Sequence, residues 1–463
     1  MRITKSKGLT PTERLLSELC DNTFLKLWSY PNPYKADGKE LCDLLAVFEN
    51  HVFLFFDRES RKFDKPGGDT LLTWKRWERE AVQRQVVTAA KAERYVFQYP
   101  DRIYLDPKQK TRLPIKLPFA GYQIHKIIVA HGAKEACEHF SKENITGSLA
   151  VAYGNVGDTF QFPFIVTLDK NDPVHVFDSH NLHIVFSELD TFYDFVCYLK
   201  AKEQAIQQFD WLFYCGEEDL LAHYFMNFDG QAHFIGTKDK TVNDLLIGEG
   251  EWKDFIESGP YKRRKRANEV SYLWDELLQR TCQNALDEKL LGNANLFDAG
   301  NAIYEMAKEP RFSRRALSDG MIKSMTRFPY DRPGIVRNVS LMPSFYQGKG
   351  YVFLQIRHPN IDDYENKYRP VRSRMLQIAC GAAKNKFPHL SKIIGIAIDA
   401  PKFAKRNSED FVLLDCESWP PEQAAFYEEE NRALRFFATD SMRMERKTIR
   451  NFPPMDTPAP GEV

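Results

Sequence analysis

At 463 residues the chain has room for about two to four domains of ordinary size, which excludes a single small binding module. Its composition is 43% hydrophobic and 28% charged, with 24 Gly and 25 Pro; this fits a globular protein with several cores and excludes disordered, collagen-like and coiled-coil chains. Lysine plus arginine and aspartate plus glutamate both number 64, so a nucleic-acid surface would have to be local rather than a field of the whole molecule.

The charge is uneven along the chain. Residues 1–112 hold 21 Lys/Arg against 16 Asp/Glu, and residues 113–463 hold 43 against 48. In the basic segment the apolar pattern predicts a helix near Thr10–Leu25, short strands at Leu41–Phe48 and Val52–Phe56, and a long helix from Leu71 to Phe97. The polar break Glu49-Asn50-His51 reads as a hairpin loop, so the two strands should pair antiparallel. Along the long helix Trp74, Trp77, Ala81, Val82, Gln85, Thr88, Ala89, Ala92 and Val96 recur at three- and four-residue steps and predict a packed face. Lys75, Arg76, Arg79, Arg84, Lys91 and Arg94 fill the rest, a predicted exposed basic face.

The Pro- and Lys-rich stretch 99–118 reads as the first domain boundary. Residues 113–215 follow as a second α/β or α+β region, with strands in HKIIVAHG, SLAVAYG, FPFIVTLD and PVHVFD. Residues 216–348 read as mainly helical, and 349–450 as a C-terminal α/β region with strands KGYVFLQIR, KIIGIAID and FVLLD. The Pro-rich tail 451–463 is expected to be disordered. There is no apolar leader, and no apolar run approaches the roughly 20 residues that span a bilayer, so a cytoplasmic protein without a membrane partner is expected. The eight cysteines form no CxxC pair and read as reduced core thiols.

The sharpest chemistry lies around the predicted hairpin. Glu40 and Asp43 stand before its first strand, and Asp57, Arg58 and Glu59 end its second. Antiparallel pairing brings the start of one strand beside the end of the other, so these carboxylates can converge. Such a cluster suits a hard divalent cation, Mg²⁺ or Mn²⁺, which can activate water against a phosphodiester while the neighbouring basic helix holds the backbone. Solvated strand-end acids would show the same spacing. His175, Asp178, His180 and His183 have ligand-type side chains but no zinc spacing, and read as loop residues on the end of the PVHVFD strand. The basic runs 261–266 and 311–315 read either as phosphate contacts, through Arg263, Arg264 and Arg314, or as solvated helix faces. No GK[ST] ending, GxSxG or Cys/His pair occurs, so P-loop hydrolysis and acyl transfer drop out.

The stretch ADGKELCDLLAVFENHVFLFFDRES, followed by TWKRWEREAV, resembles the core of the PD-(D/E)XK, or restriction-endonuclease-like, nuclease superfamily: an acid opening one strand, a hairpin, then acid-x-Lys ending the next. Over most of residues 28–415 the chain is also similar to a bacterial family of hypothetical proteins that shares stretches like GKELCDLL, GEEDLLAHYF (216–225), SYLWDELL (271–278), EPRFSRRAL (309–317) and GIAID (395–399). The resemblance implies a mixed α/β protein whose residues 1–112 form a restriction-endonuclease-like αββα core, with additional α/β and helical regions. It also implies metal-dependent hydrolysis of DNA, with RNA as the other possible polymer, in bacterial defence against phage or plasmids.

Carried over residue by residue, Asp43 matches the first metal-binding acid and Asp57 the second, and Glu59 stands where the Lys would be, a replacement some members carry. A register shifted by one puts Arg58 at the Lys position and Phe56 at the acid. The glutamine that members often add on the next helix falls at Gln85 or is lost at Thr88. The implied catalytic set is Asp43, Asp57, Glu59 and Arg58. The implied ligands for Mg²⁺ or Mn²⁺ are Glu40, Asp43, Asp57 and Glu59, with Arg76, Arg79, Arg84, Arg263, Arg264 and Arg314 on nucleic acid. Because the motif departs from its pattern, a second reading stands beside the nuclease: a catalytically degenerate fold that binds nucleic acid or a partner protein. A variant of the first has residues 113–463 engaged by a separate sensor.

Overall fold

The chain, a computed structural model, divides into two units, Arg2–Ser258 and Gly259–Val463. It describes residues 5–64, 67–117, 121–140, 146–155, 157, 162–237, 239, 241–287, 296–358, 363–404, 408–440, 442–445, 448 and 450–452. The predicted disordered tail lies, after Phe452, outside the described residues.

In the first unit Thr10 caps helix α1 (Pro11–Thr23), accepting from the Glu13 N–H. Strands β1 (Ser29–Pro31), β2 (Leu44–Phe48) and β3 (His51–Glu59) form an antiparallel meander, Leu44 opposite Phe55 and Phe48 opposite His51. The predicted hairpin is therefore present, with a loop one residue tighter than the three-residue break. Asp69 then caps α2 (Thr70–Glu78), which runs through a π-helical segment, Arg79–Gln83, into α3 (Arg84–Gln98). Strand β4 (Gln123–His131) returns parallel to β3, and after helix α4 (Lys134–Phe140) the chain forms β5 (Ala150–Gly154), β6 (Ile165–Asp169) and β7 (His175–Asp178). The first sheet has the order β1-β2-β3-β4-β7. Its β2 and the first six residues of β3 are buried, as a strand covered on both faces requires.

Helices α5 (Asn181–Glu188) and α6 (Phe192–Gln208) lie with α1 on one face, where Phe24, Phe53, Phe186 and Phe195 pack ring against ring. Helix α3 covers the other face, and its Glu93 pairs with Lys126 of β4 at 3.1 Å. A second sheet, β9-β8-β5-β6, adds β8 (Trp211–Tyr214) and, after α7 (Glu217–Met226), β9 (Asp244–Ile247); α8 (Glu251–Glu257) closes the unit.

The second unit packs α9 (Gly259–Asn268), α10 (Tyr272–Leu286), α11 (Leu296–Ala307) and α12 (Arg311–Thr326) with a four-stranded sheet: β10 (Val336–Pro343), β11 (Lys349–Arg357), β12 (Lys392–Asp399) and β13 (Glu409–Asp415), in chain order. Helix α13 (Arg369–Lys386) is the crossover between parallel β11 and β12, and α14 (Pro421–Asn431) packs on it.

The mixed α/β class is as the sequence predicts, but the boundaries move. The break expected at 112 falls inside the first sheet, because β3 is buried on both faces and needs β4 beyond the Pro-rich stretch as its neighbour. The break at 216 falls inside the second sheet, between β8 and β9. Among the described residues no helix is long and apolar enough to cross a membrane. No disulfide forms among them either, and Cys20, Cys42, Cys137, Cys282, Cys380 and Cys416 are buried.

One buried ion pair joins α6 to α7. Lys202 and Glu217 meet at 2.7 Å with both side chains wholly shielded, and the Tyr198 hydroxyl donates to the same carboxylate at 2.6 Å. Removing one partner strands the other charge, so Lys202→Met should cost about 3–5 kcal/mol in denaturant unfolding. Adding Glu217→Leu should recover most of that loss.

Candidate functional site

Four carboxylates gather where α1 meets the ends of β2 and β3. The cap at Thr10 places Glu13 in the first turn, where its Oε2 accepts the Leu9 N–H at 2.7 Å and the Asn32 amide at 2.9 Å. The same Asn32 amide donates to Glu40 at 2.7 Å, tying the two acids together. Asp43 immediately precedes β2, and its Oδ2 accepts the backbone N–H of Asp57 at 2.7 Å. The Asp57 side chain accepts from the Thr12 hydroxyl and meets His131 Nε2, at the end of β4, at 2.8 Å. Burial first, and then Glu40, Glu13 and Asp57, push the Asp43 carboxyl up to about 8. Among the described residues no lysine or arginine pairs with any of the four. Glu40 is exposed and Asp43 half-buried, so the group opens to solvent on that side.

Structure and expectation agree in part. Glu40, Asp43 and Asp57 come together. Glu59 does not join them: it is exposed at the strand end, 3.8 Å from Arg61. Arg58 points out on the opposite parity to Asp57 and meets Glu80 of the π-helical segment at 3.4 Å. Thr88, expected on the packed face, is exposed and bonds its own helix at the Arg84 carbonyl, while Gln85 is half-buried. Lys75, Arg76, Arg79, Arg84, Lys91 and Arg94 are exposed while Trp74 and Trp77 are buried, as the helical period predicts. Trp77 donates to the His131 carbonyl at 3.1 Å, so the packed face of the basic helix abuts the strand end that carries the Asp57 partner.

The second-unit arginines are corrected. Arg314 and Arg264 are each 2% exposed. Arg314 spends its guanidinium on the Glu309 and Ala307 carbonyls and on Asp275, at 2.9, 2.8 and 2.5 Å, so it cannot reach a phosphate. Arg264 lies over the Phe452 ring, and Arg263 is half-buried. Asp178 caps a turn, accepting from Leu149, His180 and Asn181, and His183 is exposed.

Thr12, Glu13, Asn32, His131 and Ser179 had not been singled out. Only Glu13 had a local signal, three residues after a capping threonine. Ser179 Oγ lies 2.9 Å from His131 Nδ1, so serine, histidine and aspartate stand in relay order. Acyl transfer needs free donors for an oxyanion as well. The His180 and Asn181 N–H groups beside Ser179 are already given to Asp178, so the relay orients Asp57 instead.

His175 lies on β7, within the expected strand, but is buried there beside His125 of β4 and Glu203 of α6 rather than at a loop. An open cavity of about 560 Å³, lined by Gln123, Lys200, Glu203, Gln204, Gln207 and Gln208, meets this group at Glu203 and is lined by none of the four acids.

Asp43 makes stability depend on pH. Its folded pKa stands above the unfolded value near 3.8, so the folded chain holds the extra proton between about 4 and 8. Its contribution is fully present below pH 4 and is lost as pH rises through 8; Glu218, also pushed up to about 8, acts in the same window. The thermal midpoint should fall from pH 5 to pH 8 by several degrees, and Asp43→Asn should remove part of that slope and raise the midpoint at pH 8, checked by calorimetry. Compared with known proteins, the chain matches no family model, no curated protein and no solved structure.

Proposed function

We propose that the first unit hydrolyses phosphodiester bonds of DNA with Mg²⁺ or Mn²⁺ held by Asp43, Glu13 and Glu40. The observation that carries this reading is the gathering of four carboxylates without a lysine or arginine among their described partners. Oxygen donors of this kind fit a hard cation, which needs only one or two carboxylates and takes waters and substrate phosphate as its other ligands. The order α1, a three-strand antiparallel meander, α2–α3 and a parallel strand also supports the resemblance to the restriction-endonuclease-like core, with Asp43 before the second strand and Asp57 near the end of the third.

An ion held by Asp43, Glu13 and Glu40 would supply Lewis-acid chemistry at a phosphoryl oxygen and at an attacking water. Asn32 keeps Glu13 and Glu40 at a fixed spacing. Thr12 and His131 hold Asp57 through its two oxygens, and Asp57 in turn steadies Asp43, which accepts its backbone N–H. The exposed arginines of α2–α3 bind phosphates along the strand. The engagement of Asp57 by His131 and the outward turn of Glu59 favour the second reading, a degenerate fold that binds without cleaving.

The test uses full-length protein on plasmid DNA, Mn²⁺ first because it tolerates imperfect geometry. Nicking is expected with wild type and should fall by at least a hundredfold in Asp43→Asn with the fold intact by circular dichroism. DNA binding without metal binding or cleavage would leave the degenerate fold. Reversing Arg76, Arg79 and Arg84 to Glu should weaken DNA binding and flatten its salt dependence by about 0.9 in log–log slope for each phosphate no longer neutralised.

A further inference from the structure

Three histidines occupy neighbouring strands on the α6-facing side of the first sheet: His51 opens β3, His125 lies on β4 and His175 opens β7. All three are buried. Glu203 reaches them from α6, and its Oε1 lies 2.9 Å from His125 Nδ1 and 3.3 Å from His175 Nε2. His51 Nδ1 backs His125 Nε2 at 2.8 Å, the two rings stacked at 5.1 Å between centroids, with Phe53 stacked on His125 at 4.8 Å.

We propose that His125, His175 and Glu203 form a transition-metal site, for Zn²⁺ foremost, with a fourth position open toward the cavity above Glu203. The ligand chemistry is that of zinc: two imidazoles and one carboxylate, with bonds of about 2.0–2.2 Å. Tetrahedral ligand atoms at such bond lengths stand about 3.3 Å apart. The observed 2.9 and 3.3 Å to Glu203 lie close to this, and the three ligand atoms all stand within 4.8 Å of one another, so modest side-chain adjustment closes the set on an ion. The rings are fixed by burial, stacking and strand pairing, so the order is already in place before an ion arrives.

His51 supplies the outer contact that orients a metal-bound imidazole. Loading needs His125 Nδ1 and His175 Nε2 free of protons; the His125 proton would then sit on Nε2 and be donated to His51 Nδ1, with the His51 proton on its own Nε2. The entry route is also present, since the Glu203 side chain is 20% exposed and lines the open cavity with Gln123 and Lys200. Imidazole donors separate this site from the all-oxygen cluster at Asp43, so the two select different ions. The proposal stands whether or not Asp43 serves in hydrolysis.

The experiment takes full-length protein stripped by chelator and saturated with Mg²⁺, then titrates Co²⁺ while following visible absorption. One equivalent with the intense bands of tetrahedral Co²⁺ is expected, unchanged in Asp43→Asn and lost in Glu203→Gln and His175→Gln. His51→Phe should keep the bands and bind about 10- to 100-fold more weakly. Should the buried variants fail to fold, X-ray absorption at the zinc edge of loaded wild-type protein reads the ligands directly, with two imidazoles expected. Absence of the bands in wild type, their persistence in both ligand variants, their loss in Asp43→Asn alone, or a zinc edge without imidazole would each overturn the site.

Discussion

The parallel pairing of β3 with β4 is the constraint on which the chemistry of the first unit depends. It runs from His51 opposite Gln123 to Glu59 opposite His131, and both strands are buried in the centre of the sheet. The two polar contacts between these strands use the same diagonal step. His51 reaches the residue two beyond its partner, which is His125, and near the other end Asp57 reaches the partner of Glu59, which is His131. Side chains alternate faces with period two, so one register aims both pairs at the face covered by α1, α5 and α6. A slip of β4 by one residue would turn His125 and His131 to the opposite face together and break both contacts. Gly132 guards that register: it sits at φ +90°, and a Cβ there would stand 2.3 Å from the Ser60 carbonyl, just where the Ser60 N–H closes the pairing on the His131 carbonyl.

Much of this was legible where the signal is local. The hairpin followed from two apolar runs and a polar break. The exposure of Arg76, Arg79 and Arg84 followed from the period of Trp74 and Trp77. The meeting of Asp43 with Asp57 followed from antiparallel geometry alone. His131 could not be found that way, because 74 residues separate it from Asp57 and only the crossover through α2 and α3 brings it back. Glu203 lies 78 residues from His125, across α4, β5, β6, β7 and α5. Strands such as Trp211–Tyr214 and Asp244–Ile247 are too short for periodicity to mark.

Arg314 was misread for a different reason. A run of arginines looks alike whether it faces water or a buried acid, and the stretches EPRFSRRAL, SYLWDELL and GIAID belong to the second kind. Glu309 is fully buried and accepts from Ser313, Ser344 and Tyr351, while Asp275 receives both Arg311 and Arg314. Asp399 receives Tyr364, Tyr368 and Arg372, and Arg372 continues to Asp410. Partly satisfied networks of this kind are costly, so a change at one member strands several others. These stretches are thus accounted for by packing within the second unit.

The π-helical turn between α2 and α3 sets how the basic face is spaced. Within it the Arg84 N–H bonds the Arg79 carbonyl, five residues back, so these two arginines stand nearly one above the other. In an unbroken α-helix five residues would carry them well round the barrel of the helix, since each adds about 100°. Deleting any one residue from 80–83 would restore regular winding with these two arginines four apart, which again stacks them and leaves everything after them facing as before relative to Trp74 and Trp77. Winding every residue regularly, with none removed, would instead turn the later cations about 100° off the line begun by Arg76 and Arg79. The wide turn therefore absorbs one residue: the basic line tolerates a single deletion in 80–83, whereas a further insertion would break it.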